Sequence, residues 1–177
     1  MFAALWRALT RPSLVAFEQA RADANLGRAL IAALVIGAVT GFIGGLINFF
    51  SAGDSIIEAF TLAIINPFRL VFALIIVNAI LFSAARAFGG RGDFATQTYL
   101  GALVFVPINA LASLLAAIPT IGAYLAFAVL MYGVVVNMWA LRAAHGGRAW
   151  QTSSIVLLIL SFIGGIIGWI AMSSISQ

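Results

Sequence analysis

The charged side chains of this 177-residue chain are nine arginines and five carboxylates; there is one histidine, no lysine and no cysteine. A zinc site gathers several nitrogen, sulfur or carboxylate ligands, and His145, the single histidine and without a carboxylate near it in sequence, cannot build one. No Ser/His/Asp set and no His-Glu-x-x-His helix can be assembled. The acids Glu18, Asp23, Asp54, Glu58 and Asp93 all lie outside the long apolar runs, so the paired carboxylates of an intramembrane hydrolase are missing. Gly89-Gly90-Arg91-Gly92-Asp93 has the glycines of a phosphate loop, but neither the Lys-Ser/Thr pair nor a preceding strand. A tight turn between antiparallel helices is expected there. His145 is expected in a loop between Arg142 and Arg148, exposed or holding a local hydrogen bond. The reading is a protein that is not an enzyme and takes no cofactor or metal.

The elements that must carry these residues follow from composition. The chain is 64% hydrophobic and 8% charged, against about 45–50% and about 25% in soluble domains. Its mean hydropathy is +1.15. Lipid is the solvent that suits it, and the excess of arginine is better explained by membrane topology than by nucleic acid. Crossing a hydrocarbon core of about 30 Å takes about 20 apolar residues. The gaps between charges then define an all-α, polytopic fold with five transmembrane helices at about 29–50, 67–85, 96–117, 123–141 and 153–172. They form one domain over 29–177. The third and fourth are the arms of a hairpin that turns at Ile118-Pro119-Thr120-Ile121-Gly122. Residues 1–28 are expected as an amphipathic or interfacial helix interrupted at Pro12, and not as a signal peptide. It either lies in the lipid surface, with Trp6 and Phe17 at headgroup level, or packs on the bundle.

Loop charges set the orientation. Arg7, Arg11, Arg21 and Arg28 precede the first crossing, Arg86 and Arg91 follow the second, and Arg142 and Arg148 precede the fifth. All eight fall on one side. This places the N-terminus in the cytoplasm and the C-terminus outside.

The ordered set Ala84-Ala85-Arg86-Ala87-Phe88-Gly89-Gly90-Arg91-Gly92-Asp93-Phe94, Tyr99, Pro107, Ile118-Pro119-Thr120-Ile121-Gly122, Tyr132 and Leu141-Arg142-Ala143-Ala144-His145-Gly146 resembles the prokaryotic branch of the Yip1 domain family. The upstream Leu9-Thr10-Arg11-Pro12-Ser13-Leu14-Val15-Ala16-Phe17 is similar to the lead-in of such proteins. The resemblance implies a five-helix membrane domain with a cytoplasmic N-terminus in a prokaryotic cytoplasmic membrane. The Asp-Leu-Tyr-Gly-Pro-type motif and acidic tail of the eukaryotic branch are not found here, so that branch's association with Rab-type GTPases is not carried over.

Four groups of residues are left to interpret. Arg69 lies 17 residues before Arg86, about 25 Å along a helix. Either Asn66-Pro67 breaks the chain and Arg69 snorkels at the outer interface, or a continuous tilted helix places it deeper, paired with Asp54 or Glu58 or facing a cavity. Asn78, Asn109 and Asn137, with Asn48 and Asn66, are read as interhelical packing groups or as the lining of a path for a neutral solute. Gly37, Gly41 and Gly45 on the first crossing, and Gly165 and Gly168 with Ser161 and Gly164 on the fifth, have the four-residue spacing of close helix contacts. Arg86, Arg91, Arg142 and Arg148 together form a candidate contact for anionic lipid headgroups or a partner. These features lead to an expected membrane scaffold, assembly factor or accessory subunit whose partners are the bilayer, other membrane subunits or itself. A small transporter or channel is the alternative.

Overall fold

The computed structural model describes residues 2–53, 55–118, 120–146 and 149–175, and side-chain surroundings for 4–50, 53, 55–118, 120–146 and 149–164. Among the described residues there are seven helices and no strand: α1 Phe2–Thr10, α2 Leu14–Arg21, α3 Leu26–Ala52, α4 Ile56–Ala87, α5 Phe94–Ala116, α6 Gly122–His145 and α7 Ala149–Ile175. Helices α3 to α6 are each long and apolar enough to cross a bilayer, and the stretch Ala149–Gly164 of α7 is a shorter apolar helix. The polytopic helical class read from the charge gaps is the class observed.

Side chains fix where the helices begin, by accepting backbone N–H groups that have no partner in the first turn. The Ser13 hydroxyl accepts from Ala16, Asn25 Oδ1 accepts from Arg28 at 3.0 Å, and Asp93 Oδ1 accepts from Thr96 at 2.8 Å. Ser55 and Glu58 form a reciprocal capping box on α4. Pro12 falls in the short break between α1 and α2. Helix α4 ends at Ala87, and the chain turns away at Gly89, whose φ of 82° is left-handed and suits glycine.

Helix α4 is one continuous element of 32 residues, about 48 Å long. The break expected at Asn66-Pro67 does not occur. A proline removes one N–H and crowds the carbonyl four residues earlier, a cost that tertiary contacts can offset. Here Pro67 is buried against α3, and a Cβ built on Gly37 would stand 2.7 Å from Pro67 Cα. Asn66 Nδ2 donates to the Gly37 carbonyl at 3.0 Å and to Thr40 Oγ1 at 3.2 Å. The would-be kink is therefore stitched to the neighbouring helix.

Helices α3 and α4 form one antiparallel pair and α5 and α6 another, with α7 against α4 and α6. Helix α5 is the hub: every residue from Gln97 to Val104 is buried. Outward-facing positions are apolar, with Ile31, Val35, Val39 and Ile43 exposed along α3 and Phe68, Phe72, Ile76 and Ile80 along α4. Such four-residue stripes suit lipid on the outside of a bundle whose backbone is satisfied within its own helices.

The N-terminal segment packs on the bundle. The Tyr132 hydroxyl donates to the Leu9 carbonyl, and Arg21 Nη1 donates to the Ala143 carbonyl at 3.2 Å. These acceptor and donor sites are 11 residues apart on α6, about 16 Å along its axis. Phe17, expected at headgroup level, is fully buried in the core, whereas Trp6 is 70% exposed.

Candidate functional site: the His145 chain and the Arg69 cleft

Polar groups collect at two levels of the bundle. At the arginine-bearing end, α4, α5 and α6 are joined by a buried side-chain chain. His145 Nε2 lies 2.5 Å from Gln97 Oε1. Gln97 Nε2 donates to the Asn78 carbonyl at 3.0 Å and to Asn78 Oδ1 at 3.3 Å, and Asn78 Nδ2 donates to the Leu74 carbonyl at 2.9 Å. With Gln97 Oε1 as acceptor, the imidazole carries its proton on Nε2. The other ring nitrogen, Nδ1, is buried without a hydrogen bond.

The glycine-rich turn closes over this imidazole. A Cβ built on Gly90 or Gly92 would stand 2.8 or 2.9 Å from His145 Nδ1. Close approach to this ring and to the Ala85 and Ala144 carbonyls accounts for glycine at these positions. The N–H of Gly89 bonds to the Arg86 carbonyl at 3.2 Å and that of Gly90 to the Ala85 carbonyl at 2.8 Å. Those donors finish α4 and are not offered to a phosphate. His145, expected in a loop, is instead the last residue of α6 and buried. Gln97, which joins it to Asn78, was not singled out in the sequence, where an isolated glutamine carries no signal of its partner 48 residues away.

Several of the arginines proposed as external contacts have internal work. Arg86 donates to the Gly90 carbonyl at 3.2 Å and lies 5.9 Å from the centre of the Phe82 ring. Arg142 lies 5.6 Å from the Trp150 ring and 5.9 Å from Trp139, within cation–π range. Arg91 is exposed. Arg148 lies outside the described residues. The carboxyl of Asp93, at the mouth of this turn, is held below its ordinary value of 3.8 because the Thr96 N–H donates to its charged form.

The second level is a cleft of about 280 Å³ between α3, α4, α5 and α6, lined by Thr40, Asn66, Arg69, Asn109 and Ser113, with Leu70, Ala73, Ala110, Ala112, Ala116, Ala126 and Leu130 as apolar wall. It gathers the one arginine inside an apolar stretch with two of the asparagines on the crossings. Asn109 Nδ2 donates to the Phe105 carbonyl at 2.8 Å, and Ser113 Oγ to the Ala110 carbonyl at 2.8 Å. Among the described residues Arg69 makes no ion pair or hydrogen bond, and it is exposed. Glu58, a partner considered for it, is occupied in its capping box 11 residues earlier. Asp54, the other, lies outside the described residues. Asn137 is buried on α6 and does not line the cleft.

The glycine triplet of α3 faces α4. A Cβ on Gly41 would run into the Leu62 carbonyl and approach Asn66 Cβ to 2.9 Å, and one on Gly45 would overlap the Ala59 backbone. Small residues admit this backbone-to-backbone contact. The environments of Gly165 and Gly168 lie outside the described residues. No group of three or more His, Cys, Asp or Glu that could hold a metal occurs among the described residues.

Long apolar helices, lipid-compatible outer faces and internally committed polar groups define a multi-pass helical membrane protein. The chain belongs to the Yip1 domain family, whose model matches residues 6–174. No curated protein and no solved structure gives a match.

Proposed function

We propose that this Yip1 domain protein is a non-enzymatic scaffold, assembly factor or accessory subunit of a prokaryotic cytoplasmic membrane, with its N-terminus inside and C-terminus outside. The observation that carries this reading is the commitment of its intramembrane amides. Asn66, Asn78 and Asn109 all donate to backbone carbonyls of α3, α4 or α5. The Asn66 bond to α3 and the Gln97 bond to Asn78 join separate helices and hold them in register, whereas Asn78 and Asn109 donate to carbonyls four residues earlier in their own helices. The exposed apolar stripes on α3 and α4 are the surfaces on which other membrane subunits, or a second copy, would be met. Extraction from native membranes into polymer nanodiscs, followed by mass analysis, tests this. A stoichiometric larger complex is expected; reproducible recovery of an unpartnered monomer overturns the accessory role.

The Arg69 cleft favours a second reading, a small transporter or channel for a neutral solute or ion. Flux through reconstituted protein that vanished in Asn109→Ala while the fold survived would put this reading first.

A further inference from the structure

We propose that the Arg69 cleft binds an anionic phosphoester, supplied by the headgroup of a membrane lipid. Four observations converge on this. First, Arg69 is a permanent cation without an ion pair among the described residues. Of the described acids, Glu58 and Asp93 are spent on helix caps, and Glu18 and Asp23 belong to the N-terminal segment at the opposite end of the bundle; Asp54 lies outside the described residues. A guanidinium at the lipid boundary pairs readily with anionic headgroups, so a counter-ion from outside the chain has a clear role. Second, the donor set suits phosphate. A guanidinium presents a planar fork to phosphate oxygens, and Asn109 commits one amide N–H to the Phe105 carbonyl while its second N–H stays available in the same cleft.

Third, the depth is right for a headgroup. Arg69 stands 17 residues from Arg86 on the continuous helix α4, about 25 Å away. With Arg86 at one interface and a hydrocarbon core of about 30 Å, Arg69 comes within about 5 Å of the other, at the level of Ser113 and Ala116 near the end of α5. Fourth, about 280 Å³ lies at the lower edge of ligand pockets. That volume takes a headgroup and leaves acyl chains outside. Phe68 and Phe72, both exposed beside Arg69, open the apolar stripe along which such chains would lie. An exposed apolar surface on the same stretch of α4 as Arg69 favours a lipid over a free anion. The assignment is independent of the scaffold reading: a chain without partner subunits could still hold the lipid.

The test is native mass spectrometry of the full chain in detergent, titrated with dioctanoyl-phosphatidylglycerol, with phosphate-free dioctanoylglycerol, and with inorganic phosphate as competitor. The phosphatidylglycerol is expected to bind saturably, about tenfold or more tighter than dioctanoylglycerol. Arg69→Gln should weaken it by about tenfold and Arg69→Lys by less, whereas Arg11→Gln, which removes an equal charge from an exposed site on the N-terminal segment, should leave it unchanged. Should Arg69→Gln fail to fold, Asn109→Ala is expected to show a loss of a few-fold. Equal retention of the two lipids, or phosphatidylglycerol affinity indifferent to both positions, overturns the proposal. Displacement by equimolar inorganic phosphate would assign the site to a soluble anion and overturn the lipid source.

Discussion

Two glycines three residues apart on α3 offer a controlled comparison. A methyl group added at Gly41 meets the Leu62 carbonyl and comes within 2.9 Å of Asn66 Cβ, whereas one added at Gly44 meets nothing within 4 Å. Gly→Ala favours a helix by about 0.8–1 kcal/mol, and this gain is common to both sites. The difference between Gly41→Ala and Gly44→Ala therefore isolates the clash between helices. Overpacking of this kind costs about 1–3 kcal/mol, a factor of roughly 5 to 150 in the unfolding constant. Gly44→Ala should be neutral or slightly stabilising, and Gly41→Ala should lose stability by up to about 2 kcal/mol net. Gly41→Leu should lose more and lower the folded yield. Reversible unfolding in mixed micelles, followed by steric trapping or circular dichroism, measures all three. Equal stability of the two alanine variants would refute the close contact of α3 with α4.

Further outcomes follow from the capping and core contacts. Asp93→Ala should cost about 0.5–2 kcal/mol at neutral pH through loss of the α5 cap. Because the Asp93 carboxyl titrates below 3.8 in the fold, its contribution is present above that value and fades as pH falls through the folded value. The gap between wild type and variant should accordingly narrow below about pH 4; a gap independent of pH would contradict the charged cap. Gln97→Met keeps the length of the side chain but strands His145 Nε2, at a cost of about 1–3 kcal/mol. Thermal unfolding in detergent that matched wild type would show that the chain from His145 to Asn78 does not hold the bundle together.

Much of the architecture was legible because charge is so rare here. Apolar runs bounded by single arginines mark crossings by length alone, and a reversal between α5 and α6 follows from local turn chemistry. What was not legible depends on contacts between distant segments. Pro67 reads as a helix breaker until α3 supplies glycines for it to pack on and an Asn66 partner in Gly37. His145 reads as a loop residue because its partner Gln97 stands in a different helix. The glycines at 90 and 92 suggest a simple turn, and only the imidazole together with the Ala85 and Ala144 carbonyls beside them explains why no side chain fits. Two depths were open for Arg69 in the sequence, and its union with Asn109 and Ser113 in one cleft required the packing of α4 on α5.

The crossing pattern is the foundation of these conclusions, and the absence of cysteine makes it directly measurable. Single cysteines placed at Arg91, exposed in the turn between α4 and α5, and at Ile121, 55% exposed at the turn between α5 and α6, can be labelled in sealed vesicles with a membrane-impermeant maleimide. Helix α5 crossing the bilayer predicts labelling from opposite faces, with Arg91→Cys reached from the cytoplasmic side. Labelling of both positions from the same face would contradict it.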